Sequence, residues 1–521
     1  MSRRLRGEAW ALVAILALGA ALRLYAIGRH GLWQDEIGSV FHARAPGSLL
    51  DPLSGHAPLY YLALGAWLDL GQHVPGGQAE GSEGWVRSLS AVFGLLLVVA
   101  VHRAARSDFG PDLALLAAFF AAASPVLVWA SREARAYSLL NLCVFAAWRA
   151  ALRAQASGRL LHWTAYSVAA TAALYTHYYA PFLLVAVAAA WLVTARPRGV
   201  AGMLPFVVAT LVAVAAFAPW LPLMLRGQQG LETLFWEIRG DATRNTFPLK
   251  TFLVLLGRSD PAHAFGAMLE ALVPGRFTWA SLLVLAPMLG AAWRWGRRER
   301  RTRRLLAWGA LAVVPLLLVL VASQWKALLV GSRYVTLASA CLSAIGAAAA
   351  ALLGGRRAAA VVGCFGAASL LAVQPLYRVP PSEIREATRY LDGHSAPGDC
   401  VGVVSNKAFC YTYYARQPRP VYDLPWEVPA VGRRVERSSS LHDRGVRPED
   451  VPAIASFFSA CRTTWILYNE ETSWGVDMGA SVLRRGLLGS GFRILEERRF
   501  TDTRLEAYVP AGAGTGGPHP R

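Results

Sequence analysis

Long apolar stretches separated by short arginine-rich loops dominate this chain. A helix needs about 17 to 25 mostly apolar residues to cross the hydrocarbon core of a bilayer. With 521 residues and 55% hydrophobic content, the chain has more apolar sequence than one or two soluble cores would bury. The pattern predicts a mainly α-helical, polytopic membrane protein with about eleven transmembrane helices. The predicted spans lie near residues 9–27, 85–103, 112–130, 136–153, 161–176, 179–195, 203–225, 278–294, 305–322, 335–353 and 358–374.

The distribution of arginine predicts how these spans are oriented. A net charge of +19 could indicate nucleic-acid binding, but the basic residues cluster in alternate loops, as the positive-inside rule predicts for cytoplasmic connections. Every cluster falls on one side when the N-terminus is placed in the cytoplasm. We therefore expect a multi-pass protein of the cytoplasmic (inner) membrane. Its expected partner is membrane lipid, and no nucleic acid is expected to bind. The clusters lie at residues 3–6, 103–106, 149–159, 196–198, 294–304 and 356–357.

Near residue 376 the long apolar runs give way to shorter helix and strand patterns, and this change predicts three regions. Residues 1–375 are expected to form the transmembrane module, with outer loops at 28–84 and 226–277. Residues 376–510 are expected to form a small α/β domain on the periplasmic or extracellular side, and the Gly/Pro-rich residues 511–521 a disordered tail. Within the domain, the patterns predict a helix at 382–392, strands at 400–404 and 464–468, and a hairpin of 492–500 with 504–509. Short apolar segments at 57–70 and 247–256 are interpreted as helices at the membrane interface.

Three cysteines, Cys400, Cys410 and Cys461, fall in the predicted outer domain. In an oxidising compartment one disulfide could form among them, since three cysteines cannot all pair internally. The sequence does not choose the pair. No spacing typical of metal ligands is present.

Chemically active side chains collect in the segments predicted to face outward. They are the acid pair Asp35 and Glu36, which follows the first span directly, and the groups at 56–61, 132–137 and 176–179. Each group also has an ordinary explanation: solvated surface acids, an aromatic belt at the interface, or arginines that extend to the lipid headgroups. An adjacent carboxylate pair just outside a bilayer is nevertheless suited to general-base chemistry.

Considered together, these motifs resemble a known superfamily. They are Trp-x-Asp-Glu-x-x-Ser at 33–39, His-x-Pro-Leu-Tyr-Tyr at 56–61, Val-Arg-Ser-Leu-Ser at 86–90, Ser-x-Glu-Ala-Arg-x-Tyr at 131–137 and Thr-His-Tyr-Tyr at 176–179. In this order they resemble the bacterial GT-C glycosyltransferases of the protein-mannosyltransferase-like superfamily, relatives of the aminoarabinose transferase that acts on lipid A. The resemblance covers most of residues 1–375. It departs at Ala57, where the family often has proline, and at Arg132, where it often has glutamine.

The resemblance implies transfer of a sugar from a polyprenyl-phosphate donor to a glycan, lipid or protein acceptor. It implies Asp35 as the catalytic base, with Glu36 orienting the acceptor or the base, and inversion at the anomeric carbon. Cations must meet the lipid phosphate, and arginine suits phosphate geometry. The expected phosphate-binding residues are His56, Arg132, Arg135 and Arg333. The expected pocket residues are Tyr60, Tyr61, Glu133, Tyr137 and His177.

Other functional classes remain as alternatives. A transporter or flippase of polyprenyl-linked sugars would place ionisable groups or broken helices near the bilayer midplane, often in related halves. Here the charges lie at span ends and no halves repeat, which favours an enzyme. A ligase or polymerase that joins preassembled glycans is a third candidate. Some relatives use a divalent metal ion, and the sequence leaves this cofactor open.

Overall fold

The computed structural model describes residues 3–50, 56–74, 82–226, 277–322 and 336–378, together with most of 380–511. Within 380–511, the structure does not describe residues 381, 405–407, 418–419, 425–426, 429–444, 470–478 and 502. Elsewhere in the chain, the residues outside the described part include Arg333, the predicted interfacial segment 247–256 and the predicted tail from residue 512 to 521. The contact pattern divides the chain into two units. The first unit consists of Met1–Arg29, Ser39–Glu232 and Arg239–Val379, and the second of His30–Gly38, Thr233–Ile238 and Pro380–Arg521.

The first unit is helical, and helix α2 begins in the second unit and ends in the first. The helices in chain order are α1 (Arg3–Leu24), α2 (Gln34–Arg44), α3 (Leu59–Gln72), α4 (Glu83–Phe109), α5 (Pro111–Ala123), α6 (Pro125–Arg132), α7 (Tyr137–Ser157), α8 (Leu160–Leu174), α9 (Ala180–Ala195), α10 (Gly199–Phe217), α11 (Phe277–Arg298), α12 (Thr302–Ala322), α13 (Thr336–Leu353) and α14 (Gly355–Arg378). Short 3₁₀ turns lie at Pro46–Leu50 and Ala218–Trp220.

Five of the described helices are long and apolar enough to cross a membrane. They are Arg6–Leu24, Glu83–Phe109, Gly199–Arg226, Thr336–Leu353 and Gly355–Arg378. Helices α8 and α9 have 15 and 16 residues, fewer than the roughly 20 that span a bilayer core. The chain is therefore mainly helical, as predicted, and the number of eleven spans stays a prediction.

The span predicted at 112–130 is wrong as a single straight helix. The structure has α5 and α6 instead, bent by 55°. In a continuous helix the carbonyl of Ala121 would accept a bond from residue 125, but Pro125 has no N–H. The guanidinium of Arg23 lies against this break and donates to the carbonyls of Ala121 (3.5 Å) and Ala122 (2.8 Å). A cation is favourable there because the C-terminal end of a helix carries partial negative charge.

Small side chains allow the helices of the first unit to pack closely. Helix α5 buries a series of alanines against α13, whose own buried face is also mostly alanine. Such small-residue faces let helix backbones approach where no hydrophobic effect drives association. Helix α3, which covers most of the predicted interfacial segment 57–70, packs on α4 and buries Tyr60, Leu64 and Leu68.

The second unit contains a five-stranded sheet of order β2-β1-β3-β5-β4. Strands β1, β2 and β3 are parallel, β5 pairs antiparallel with β3, and β4 pairs antiparallel with β5 at the edge of the sheet. The predicted strands at 400–404 and 464–468 and the predicted hairpin are confirmed. The elements are α15 (Ile384–His394), β1 (Cys400–Val404), α16 (Ala408–Tyr414), β2 (Val421–Leu424), α17 (Val451–Phe458), β3 (Thr464–Asn469), α18 (Ala480–Gly489), β4 (Phe492–Arg499) and β5 (Thr503–Pro510).

A disulfide joins Cys400 at the start of β1 to Cys461 just before β3. The two parallel strands are neighbours, and Cys400 pairs in register with Thr464, so the two cysteines meet at one end of the sheet. Cys410 is buried and forms no disulfide with another described cysteine. The structure therefore selects one of the pairings that the sequence left open.

Candidate active site

Three segments that are distant in sequence meet at one cleft of the first unit. The first segment leads into α3, the second is the turn between α6 and α7, and the third is the turn between α8 and α9. The backbone N–H of Leu59 donates to the carbonyl of Tyr175 (2.8 Å) and joins the first segment to the third. The cleft is lined by His56, Ala57, Tyr61, Arg135, Ala136, Tyr137, Thr176, His177 and Tyr178.

The turn between α6 and α7 presents Arg135 to the cleft. Helix α6 ends because Glu133 adopts an extended conformation (φ −96°, ψ 138°), and the N–H of Arg135 then donates to the Glu133 carbonyl (2.7 Å). The hydroxyl of Ser90, from the Arg-Ser-Leu-Ser motif on α4, donates to the carbonyl of Arg135 (3.2 Å). Local and long-range hydrogen bonds therefore hold this backbone in place.

Tyr60 supports the same turn from behind. Its hydroxyl lies 2.8 Å from the Ser90 hydroxyl. A serine hydroxyl has one proton, and Ser90 donates it to Arg135, so Tyr60 must be the donor to Ser90. Tyr60 is completely buried and is absent from the residues lining the cleft. The structure thus places Tyr60 behind the cleft wall, whereas Tyr61, the next residue, lines the cleft.

Arg135 supplies the positive charge among the residues that line the cleft. Its Nη1 lies 3.4 Å from the hydroxyl of Ser39, a buried residue of α2. The side chain is partly exposed. A partly buried guanidinium with several N–H groups can bind phosphate oxygens, which is the role that the sequence predicts for Arg135.

His177 lies in the turn between α8 and α9, outside both helices. Its Nδ1 accepts a hydrogen bond from the backbone N–H of Tyr179 (3.1 Å), and its ring centre lies 5.7 Å from that of Tyr137. Burial, followed by the positive charge of Arg135, lowers the pKa of His177 from its ordinary value of 6.5 to about 3. The imidazole is therefore neutral near pH 7.

His42, which the sequence did not single out, is not among the residues that line the cleft but contacts two that are, His56 and Tyr61. Its ring packs edge-on against His56 (4.8 Å between centres) and Tyr61 (5.4 Å). Its Nδ1 lies 2.8 Å from the hydroxyl of Ser48. Ser39 and His42 are three residues apart in α2, the spacing of neighbours on one helix face.

Arg132 has a different position from the one expected. Its Nη1 donates to the carbonyls of Arg23 and Tyr25 (2.7 Å each) and its Nη2 to that of Ala26 (3.4 Å). Its guanidinium also lies over the ring of Tyr377, 4.8 Å from the centre. Arg132 therefore caps the C-terminal end of α1, where carbonyls lack helical partners, and it is not among the residues lining the cleft.

Asp35 and Glu36 lie in the first turn of α2, in the part of that helix that belongs to the second unit. Carboxylates are favourable there because the N-terminal end of a helix carries partial positive charge. Glu36 is buried, and its Oε2 accepts from the N–H of Trp33 (3.3 Å). Just before the helix, the N–H of Leu32 donates to the hydroxyl of Tyr414 (2.6 Å). Asp35 is partly exposed.

Among the described residues, no three His, Cys, Asp or Glu side chains are grouped closely enough to hold a metal ion.

Comparison with known proteins supports the resemblance noted from the motifs. A family model described as dolichyl-phosphate-mannose-protein mannosyltransferase matches residues 79–222. This part includes the Arg135 turn and the His177 turn. A comparison with curated proteins returns no match.

Solved structures share the fold over almost the whole chain. The apo structure of ArnT from Cupriavidus metallidurans has a TM-score of 0.60 at 14% identity, covering 99% of this chain and 100% of that one. ArnT bound to undecaprenyl phosphate has a TM-score of 0.59 at 15% identity, covering 98% and 99%. The archaeal oligosaccharyltransferase AglB from Archaeoglobus fulgidus, in complex with an inhibitory peptide and a dolichol-phosphate, has a TM-score of 0.53 at 12% identity, covering 99% and 76%. The match to the family model over residues 79–222 and the fold shared with ArnT both agree with the resemblance drawn from the motifs.

Proposed function

We propose that this protein is a multi-pass membrane glycosyltransferase that takes a sugar from a polyprenyl-phosphate donor. The observation that carries the proposal is the meeting of His56, Arg135 and His177, from three separate motifs, at one cleft. The superfamily fold supports it, as does the undecaprenyl phosphate bound by the similar protein ArnT. The acceptor is a glycan, a lipid or a protein, on the outer face of the cytoplasmic membrane.

The leaving group in this reaction is a lipid phosphate, on which negative charge develops as the sugar departs. Fixed positive charge and N–H groups at that position stabilise the transition state. Arg135 is our principal candidate for this contact, and His56 is the second. Arg333 lies outside the described residues and stays a candidate from its sequence motif. Arg132 is left out because its guanidinium is bonded to the end of α1.

Asp35 is our candidate for the base that removes the proton from the acceptor hydroxyl. A carboxylate is a suitable general base when it lies within hydrogen-bonding reach of that proton. Glu36 would then orient the base or the acceptor, and Glu133 would orient Arg135. Displacement of the phosphate in one step by the activated hydroxyl would invert the anomeric carbon. These roles rest on the motifs of the sequence.

The test compares Asp35→Asn and Arg135→Gln in purified full-length protein with a polyprenyl-phosphate sugar donor. We expect Asp35→Asn to bind the sugar donor normally and to lose transfer, because only the base is changed. Arg135→Gln should weaken donor binding. Full transfer by Asp35→Asn would remove Asp35 as the base, and NMR of the product's anomeric proton would show whether the reaction inverts.

A transporter or flippase of polyprenyl-linked sugars is the alternative function. The experiment that separates the two uses proteoliposomes loaded with the sugar donor on one side. The enzyme is expected to release polyprenyl phosphate only when an acceptor is present. Movement of intact donor across the bilayer without transfer would support the alternative.

A further inference from the structure

The two nitrogens of the His177 ring have different and fixed roles. A backbone N–H can only donate, so the contact from Tyr179 requires a lone pair on Nδ1. In a neutral imidazole the other nitrogen then carries the proton. The turn between α8 and α9 therefore fixes the tautomer of His177, and Nε2 is a hydrogen-bond donor.

Protonation of this ring is opposed on two sides. A proton on Nδ1 would face the N–H of Tyr179, and the ring would carry a positive charge close to Arg135. The phenol rings of Tyr137 and Tyr179 pack near the imidazole, at 5.7 and 6.3 Å between ring centres, and His56, Tyr61 and Tyr178 line the same cleft. The lowered pKa of His177 agrees with this arrangement. The ring thus donates a hydrogen bond without adding charge.

The position of the ring indicates what it could bind. His177 lines the same cleft as Arg135, and a phosphate held by one arginine has further oxygens to satisfy. Neutral N–H groups next to a cation are a common way to complete an anion site. We propose that Nε2–H of His177 donates to a phosphate oxygen of the polyprenyl phosphate beside Arg135. This inference rests on the function proposed above and names a specific phosphate contact within it.

Two substitutions separate the roles of the two nitrogens. In His177→Asn the amide oxygen can take the position of Nδ1 and accept from Tyr179, while the atom corresponding to Nε2 is lost. In His177→Gln the terminal NH₂ reaches the Nε2 position, while the acceptor for Tyr179 is lost. The Asn variant should therefore keep the turn and lose the phosphate contact, and the Gln variant should do the reverse.

The experiment measures binding of undecaprenyl monophosphate to full-length protein in detergent, without any transfer step. We expect about tenfold weaker binding for His177→Asn with an unchanged melting temperature, because a hydrogen bond to a charged group is lost. We expect binding within about threefold of wild type for His177→Gln, with a lowered melting temperature. If the Asn variant does not fold, His177→Met, which has no donor, is compared with His177→Gln instead.

The outcomes distinguish this inference from the proposed function. Equal binding by wild type and the Asn variant, or an equal loss in both variants, would overturn the role of His177 alone. Failure of the wild type to bind undecaprenyl monophosphate would overturn the role of His177 together with the proposed function. Transfer activity in Asp35→Asn tests only the role of Asp35 as the base, because binding of undecaprenyl monophosphate does not require a base.

Discussion

The guanidinium of Arg132 donates a 2.7 Å hydrogen bond to the backbone carbonyl of Arg23, and the side chain of Arg23 donates to the carbonyl of Ala122 at the end of α5. Each arginine thus caps a helix end with its side chain. Arg23 caps α5 at the break before Pro125, and Arg132 caps α1. This arrangement holds the broken helix pair that leads into the Arg135 turn.

This relationship predicts that Arg132 contributes to stability and Arg135 to phosphate binding. Arg132→Met leaves buried carbonyls without partners and should cost about 3 kcal/mol of unfolding free energy. Arg132→Lys should lower the unfolding free energy by a smaller amount than Arg132→Met. It should still be destabilising, because the compact ammonium of lysine cannot reach three carbonyls at once. Thermal unfolding in detergent measures this effect.

The matched variant for that experiment is Arg135→Met. It should lower the affinity for undecaprenyl phosphate at least about tenfold with little change in melting temperature, because Arg135 is partly exposed at the cleft. An Arg132→Met protein that melts normally but binds phosphate as weakly as Arg135→Met would contradict the assignment.

Tyr60→Phe is expected to affect the cleft indirectly, through Ser90 and the backbone of Arg135. The change removes the O–H that donates to Ser90, and Ser90 supports the carbonyl of Arg135. We expect a loss of about 1 kcal/mol of stability and a KM for the sugar donor that rises a few-fold at nearly unchanged kcat.

The control for Tyr60 is Tyr166→Phe, which breaks a similar hydroxyl pair with Thr210 (2.8 Å) between α8 and α10. That variant should lose comparable stability and keep the KM of wild type. Equal KM values for the two variants would show that Tyr60 does not position the Arg135 turn.

His177 should make stability depend on pH. Its pKa lies near 3 in the folded protein and near 6.5 ordinarily, so between these values the unfolded chain binds the proton and the folded protein does not. The stabilisation is therefore complete above about pH 6.5 and is lost as the pH falls toward 3. The melting temperature of wild type should fall more between pH 7 and pH 4 than that of His177→Asn, which has no titrating group at this position. A temperature difference between the two proteins that stays constant over this range would exclude the effect.

The disulfide should stabilise the second unit. It closes a loop with a sequence separation of 61 residues, for which the chain-entropy relation gives about 4 kcal/mol. The double variant Cys400→Ser with Cys461→Ser should therefore unfold at a lower temperature, as should the reduced wild type. Cys410→Ser is the control, and alkylation followed by mass spectrometry should modify Cys410 in the oxidised protein only after unfolding. Equal melting of oxidised and reduced protein would contradict this expectation.

Much of the fold follows from the periodicity of the sequence. Apolar runs predicted α4 and the helices from α7 to α14 to within a few residues at most ends, and alternation predicted β1, β3 and the β4–β5 hairpin. These predictions hold because the spacing of apolar residues, which decides whether a segment can bury one face as a helix or a strand, is a local property of the sequence. The break at Pro125 was missed, although a proline in an apolar run can end a helix, because a partner for the freed carbonyl had to come from Arg23.

The motifs of the sequence determined which residue types are available for chemistry, and the tertiary structure decided which of them meet. Arg132 and Arg135 occur in one motif, yet one caps α1 and the other lines the cleft, because the extended Glu133 turns the backbone between them. Tyr60 and Tyr61 separate because successive residues of a helix point about 100° apart. His42, and the choice of Cys461 as the partner of Cys400, depended on contacts between segments distant along the chain. Local pattern does not encode such contacts, since they form only when the whole chain has packed.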